Sequence, residues 1–182
     1  DRSDEGGFKK ENLFTGGTLN LLFGSNMTSV GATPCIGYSI ASFLDAGLTF
    51  GIDYTAYRDY NDIPGARLRF TTLTPGAFVR LFPTQSLFAI ASIEMNNLKY
   101  HYLPAIGTNS GLEDRGTWSS NCTLVGAGYA SGRSSYQRSY YYLSVLWDVG
   151  NDPRSPYKDN LRRAVPVIRA GYHIVLFQGK RR

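Results

Sequence analysis

Two histidines, two cysteines and a few charged residues set inside otherwise apolar stretches are all that this chain offers for chemistry. A covalent mechanism needs a nucleophile with a base within hydrogen-bond reach. His101 lies in Lys99-Tyr100-His101-Tyr102, and no serine stands beside it in a recognisable pattern. Ser119 and Ser120 fall at the outer end of the next extended segment, where a His–Ser pair would suit acyl transfer. Cys35, Cys122, His101 and His173 lack the spacing of a metal site, so no metal is expected. Gly6-Gly7, Gly16-Gly17 and Gly126-Ala127-Gly128 read as strand glycines, and no phosphate loop, Ca²⁺ loop or HExxH pattern occurs. The residue types therefore imply no catalytic centre and no cofactor. They do leave Asp53, Arg80, Glu94, Asp148, Arg169 and His173 as charged or titratable groups whose surroundings need explaining.

The elements that carry these residues alternate. In 44–57, Ala46, Leu48, Phe50, Ile52, Tyr54 and Ala56 fall on one face, and Asp45, Gly47, Thr49, Gly51, Asp53 and Thr55 on the other. A period of two is a strand with two environments. Similar segments are expected at 12–23, 28–41, 44–57, 68–82, 87–102, 117–129, 139–149 and 165–177. The even number, and about ten spanning residues in each, predict an all-β fold: an eight-stranded antiparallel up-and-down transmembrane β-barrel. Pro34, Pro75 and Pro166 each remove a ladder donor, and Pro34 is expected to mark a bulge. Cys35 and Cys122 fall on the second and sixth strands, roughly opposite in a barrel, so two free thiols are expected rather than a disulfide.

Side-chain size decides which face is inside. A soluble barrel is apolar within and solvated without, yet the polar face here is Ser29, Gly31, Thr33, Cys35, Gly37, Ser39 and Ala41 in the second strand and Gly16, Thr18 and Asn20 in the first. Those small residues suit the crowded interior of a narrow barrel, and Val30, Ala32, Ile36, Tyr38 and Ile40 suit lipid. Asp53, Arg80, Glu94, Asp148, Arg169 and His173 then form an internal polar network centred on Glu94 and Arg169, because unpaired burial costs several kcal/mol. Two aromatic belts are expected on the outside. Phe14, Tyr38, Phe43, Phe82, Phe88, Tyr129, Tyr141 and Phe177 would form the belt at the short-turn end. Tyr54, Tyr57, Phe70, Tyr100, Tyr102, Trp118 and Trp147 would form the belt at the long-loop end.

Composition excludes other classes. Charged residues are 18%, below the roughly 25% of soluble domains. No apolar run approaches the roughly 20 residues of a membrane helix. The net charge of +5 is dispersed apart from Lys9-Lys10 and Lys180-Arg181-Arg182, with no groove-reading helix, so nucleic acid is not an expected partner. Residues 1–11 read as a short N-terminal segment left by cleavage of a signal, 12–178 as the barrel and 179–182 as a basic tail. Short and long connections alternate, except that Gly24-Ser25-Asn26 is short on the long-loop side, and the pattern predicts short turns and both termini in the periplasm and long loops outside the outer membrane of a Gram-negative bacterium.

Five segments stand out: Phe8-Lys9-Lys10-Glu11-Asn12-Leu13-Phe14-Thr15-Gly16-Gly17, Tyr57-Arg58-Asp59-Tyr60, Leu124-Val125-Gly126-Ala127-Gly128-Tyr129, Leu143-Ser144-Val145-Leu146-Trp147-Asp148 and Ile168-Arg169-Ala170-Gly171-Tyr172. In these the chain resembles the small outer-membrane β-barrel domain proteins of Bacteroidota. The resemblance implies a fold and a location, and no catalytic residue carries over. The expectation is a non-enzymatic barrel, structural or an accessory subunit of a larger outer-membrane complex, in contact with outer-membrane lipid and lipopolysaccharide. The alternatives are a lipid A acylase or deacylase and a narrow pore, which Arg80 and Arg169 should obstruct. Asp59, Tyr60, Asp62, Glu113, Asp114, Arg115, Arg154 and Tyr157 are the loop residues expected to meet a partner.

Overall fold

A computed structural model describes residues 9–23, 27–59, 64–105, 113–131, 139–158 and 163–177. After a short turn of helix at Lys10–Asn12 come β1 (Leu13–Phe23), β2 (Met27–Ala41), β3 (Leu44–Arg58), β4 (Arg67–Leu81), β5 (Leu87–Leu103), β6 (Asp114–Ser131), β7 (Tyr140–Asp148) and β8 (Val167–Val175). The eight strands pair in sequence order, all antiparallel, and β1 meets β8 to close the ring. Closure removes the edges that an open sheet would leave unpaired.

Alternation sets the register, since a slip of one residue would exchange the two faces. The outer wall is apolar: Leu19, Leu48, Ile93 and Ile168 are 74%, 62%, 62% and 68% exposed. The interior holds the small residues and the charges. Glycines let strands and rings approach inside it, and a Cβ at Gly128 would lie 2.3 Å from the Phe88 ring.

The expected strands match the observed ones to within three residues at every end, and three features of the comparison matter. β8 begins at Val167 instead of 165, because Pro166 cannot donate to a ladder. Pro34 and Pro75 cause no register shift, and the irregularity in the β2–β3 ladder lies between Ser39 and Ala41. β7 and β8 have nine residues each, against eighteen in β6, so one side of the wall is low.

The belt at the short-turn end also differs. Phe43, Tyr129, Tyr141 and Phe177 are on the outside, whereas Phe14, Phe82 and Phe88 are 1%, 5% and 2% exposed within the lumen. At the other end Tyr54 and Trp147 face outward. Tyr57, Phe70, Tyr100, Tyr102 and Trp118 share the inward phase of Asp53, Arg80, Glu94 and Cys122, and so ring the mouth instead of the wall. Ring contacts join Tyr57 to Phe70 edge-on (5.9 Å), and Phe70 to Trp118 (6.5 Å) and Tyr100 to Trp118 (5.9 Å) at a tilt.

Candidate functional site

Side chains cross the lumen at two levels. Nearer the long loops, β5 and β8 project Glu94 and Arg169 toward each other. Arg169 Nη1 and Nη2 donate to Glu94 Oε1 and Oε2 at 2.6 and 3.0 Å, the bidentate geometry that favours arginine over lysine. The hydroxyl of Tyr157 donates to Glu94 Oε2 at 2.9 Å and accepts from Arg169 Nη2 at 3.3 Å. Three groups from β5, β8 and the β7–β8 connection thus satisfy one another inside the barrel, with Glu94 the most deeply buried of them.

Tyr157 reaches this level because its connection folds back into the barrel. Asp148 at the end of β7 accepts from the backbone of Thr123 and Gly150 at 3.2 and 2.9 Å, and its other oxygen takes the hydroxyl of Ser155. Cys122 Sγ donates to Ser155 Oγ at 3.3 Å, Asn96 Nδ2 to Cys122 Sγ at 3.2 Å, and Thr74 Oγ1 to Asn96 Oδ1 at 3.0 Å. The relay from β4 through β7 fastens the connection to the wall. Lys158 clips it again by donating to the carbonyl of Gly150. Both cysteines are free and buried.

Nearer the short turns the lumen is aromatic. The His173 ring stacks on Tyr140 at 4.4 Å and lies 4.1 Å from Phe14. Phe82 packs on Phe88 and Tyr140 at 5.3 and 6.2 Å. The Arg80 guanidinium sits 4.2 Å from the Tyr142 ring centre, 4.6 Å from Phe78 and 5.7 Å from Phe88. Rings replace water around this charge, and Asp45 stands opposite it in the β3–β4 register. Asp45 is fully buried and accepts the Tyr140 hydroxyl at 3.5 Å. It belongs with the network, and its parity with Asp53 was the signal for it. Below this layer a cavity of about 590 Å³ opens at the short-turn end between Phe43, Phe82, Pro83, Tyr140 and His173.

Of the expected network, Glu94 and Arg169 are joined directly, Asp148 holds the loop, and Arg80 and His173 form the aromatic layer. Asp53 is half-buried, with its carboxylate over Gly31. Of the expected partner contacts, Tyr60 and Asp62 lie outside the described residues. Tyr157 is turned inward, a correction explained by its bonds to Glu94 and Arg169. Asp59 adopts φ 51° and accepts from the backbone of Gly65 at 2.8 Å, which shapes the β3–β4 loop. Asp114 accepts the Tyr100 hydroxyl at 3.1 Å, Arg154 is exposed, and Glu113 and Arg115 form an ion pair.

The register also separates the His–Ser candidates. His101 faces outward opposite Arg115 and meets Glu113 Oε1 at 2.5 Å, Ser119 pairs with Asn97, and Ser120 is buried in the lumen. Among the described residues, no group of His, Cys, Asp and Glu could hold a metal ion.

No protein-family description matches the chain, and no curated protein does. Solved structures to which it is similar include Neisserial surface protein A (NspA), at 17% identity over 90% of this chain and 94% of that one, with a TM-score of 0.42. The N-terminal β-barrel domain of Pseudomonas aeruginosa OprF is 14% identical over 90% of this chain and 96% of that one, with a TM-score of 0.38. The translocator domain of the autotransporter NalP from Neisseria meningitidis is 11% identical over 89% and 85%, with a TM-score of 0.43.

Proposed function

We propose that this protein is a non-enzymatic outer-membrane barrel with a closed lumen, acting as a structural protein or as an accessory subunit through its lipid-facing wall and its long loops. The observation that carries the reading is the inverted distribution of polarity. Leu19, Ile36, Leu48, Ile93 and Ile168 stand more than half exposed on the wall, while Arg80, Glu94, Asp148 and His173 are each at most 4% exposed inside. Water would reward the opposite arrangement and lipid rewards this one. Both terminal strands begin or end at the short-turn end, which in an outer membrane would face the periplasm. The likeness to Bacteroidota barrels rests on the segments quoted above.

Closure supports work at the surface over transport. The Glu94–Arg169–Tyr157 bridge and the Arg80 aromatic layer each cross an interior that eight strands make only wide enough for side chains. Two measurements test the reading. In planar bilayers the purified barrel is expected to give no steady conductance, and a sustained ohmic current would overturn the closed lumen. Gentle extraction from the native membrane, with cross-linking, is expected to recover a partner in fixed ratio if the chain is a subunit. Recovery alone would leave the free-standing structural role. Replacing His101 by Asn is expected to leave lipid A acylation unchanged, and a changed pattern would restore the lipid-modifying alternative.

A further inference from the structure

The outward phase of β3 to β6 changes character abruptly near the long loops. Tyr54 on β3 and Met95 on β5 are exposed apolar residues of the wall, 45% and 56% exposed. Four residues further along the same strands and on the same face come Arg58 and Lys99. At a tilt of about 40° four residues climb roughly 10 Å, enough to pass from hydrocarbon into the headgroup layer. Arg67 and Arg69 on β4 and Arg115 on β6 complete a band of exposed cations, and His101 lies among them.

Cross-strand pairing makes the band dense. Arg58 is directly opposite Arg67, Arg69 opposite His101, and His101 opposite Arg115. Like charges directly opposite each other, as Arg58 and Arg67 are, destabilise a sheet unless an anion lies between them. Among the described residues the nearby carboxylates all point to other partners, and only Glu113 is ion-paired with an arginine. Glu113 bridges His101 and Arg115, Asp114 takes the Tyr100 hydroxyl on the inward face, and Asp59 takes the Gly65 amide. Among the described residues Arg58, Arg67, Arg69 and Lys99 have no ion-pair partner, and they present their charge to whatever covers the wall at this height.

We propose that this band is a docking surface for a phosphorylated glycolipid of the loop-side leaflet, the lipid A moiety of lipopolysaccharide, with Arg58, Arg67, Arg69 and Lys99 binding its phosphates and the apolar wall below receiving its acyl chains. The proposal rests on the outer-membrane reading given above. Cations in three successive rows across three strands match a headgroup with two separated phosphates better than a single phosphodiester. Guanidinium groups supply paired donors to each phosphate. Asn97 and Ser119, facing outward beside the band, can meet the sugar hydroxyls.

The test uses the full chain in phosphatidylcholine nanodiscs, with insertion established first by protease protection and heat-modifiable mobility. Native mass spectrometry then compares retention of bisphosphoryl lipid A, its dephosphorylated form and phosphatidylglycerol. Bisphosphoryl lipid A is expected to be retained at least tenfold better than either, with the preference shrinking as salt is raised. The triple variant Arg67→Gln/Arg69→Gln/Lys99→Gln is expected to lose roughly a hundredfold in retention while inserting normally, and Lys10→Gln, an exposed cation at the opposite end of the barrel, to lose nothing. Equal retention of the dephosphorylated lipid or of phosphatidylglycerol, or a triple variant that binds like the wild type, overturns the proposal and leaves the membrane reading standing. Failure of the wild-type chain to insert overturns both.

Discussion

Arg169 on β8 grips Glu94 on β5 across the barrel interior through two hydrogen bonds, at 2.6 and 3.0 Å, although 75 residues separate them in the chain. The pair fixes how opposite sides of the ring stand relative to each other, a constraint that the wall's own ladders supply only strand by strand. Its neighbours leave few orphan atoms, which is the condition under which a buried ion pair repays its desolvation.

Removing one partner should therefore be much worse than removing both. Arg169→Met is expected to destabilise the barrel by about 3–5 kcal/mol, because the Glu94 carboxylate stays behind in the lumen. Adding Glu94→Gln should return most of that loss. Urea unfolding in lipid vesicles, followed by tryptophan fluorescence, measures both. A single variant as stable as the wild type would show that the pair ties nothing together.

Tyr157 anchors the β7–β8 connection to the same pair. Tyr157→Phe should cost about 1.5–3 kcal/mol, the usual worth of hydrogen bonds to charged groups. Tyr157→Ala also empties the space under the loop. Trypsin should then cut after Arg154 and Lys158 faster than in the wild type. An unchanged cleavage rate would mean that Ser155 and Asp148 hold the loop unaided.

Two glycine substitutions of equal chemistry should rank in opposite classes. A Cβ at Gly126 would lie 2.0 Å from the backbone oxygen of Val145, so β6 and β7 must part to admit it. At Gly31 the nearest atom is Asp53 Oδ1 at 1.7 Å, the end of a side chain that can swing into the lumen. Gly126→Ala is expected to lower stability by about 1–3 kcal/mol or more and Gly31→Ala by clearly less, the cost of overpacking depending on what can move. Heat-modifiability on gels orders the two, and the reverse order would contradict the packing described.

Hydrogen bonding from Arg115, and then from His101, holds the Glu113 carboxyl below its ordinary range at the base of the β5–β6 loop. A carboxylate whose folded value is depressed stabilises the fold above its unfolded value, near 4.3, and loses that contribution as pH falls through the lower folded value. Tying of this loop should thus persist through mildly acid pH and relax only in stronger acid. The Glu113 carboxyl carbon shift, followed by NMR titration, should show a midpoint under 4.3, and Arg115→Gln should raise it. A midpoint that Arg115→Gln leaves in place would remove the arginine as its cause.

Much of this was legible because parity can be read from the residues alone. The strands, the inward face, and the shared height of Glu94 and Arg169 all follow from a period of two and a count from the turns. The aromatics were misjudged by position along the strand, when parity was the better guide. Phe14 is in phase with Gly16 and Thr18, Phe82 with Arg80, and Phe88 with Glu94, which puts all three inside. Tyr157 and Ser155 were not legible at all. They sit in an irregular segment with no period to read, and their inward turn depends on partners supplied by β5, β6 and β8.

The short β1–β8 seam has a consequence for assembly. Phe14–Thr18 against Gly171–Val175 is five residue pairs, the ladder of greatest sequence separation in the ring and among its shortest. Every other ladder joins neighbours in the chain and can form as a hairpin, whereas this one must wait until the last strand exists and both ends meet. The fastening that turns a curved sheet into a cylinder is thus the step with most chain entropy to overcome and few hydrogen bonds to reward it. The Arg169 clasp, two residues before the seam begins on β8, adds a side-chain latch beside that join.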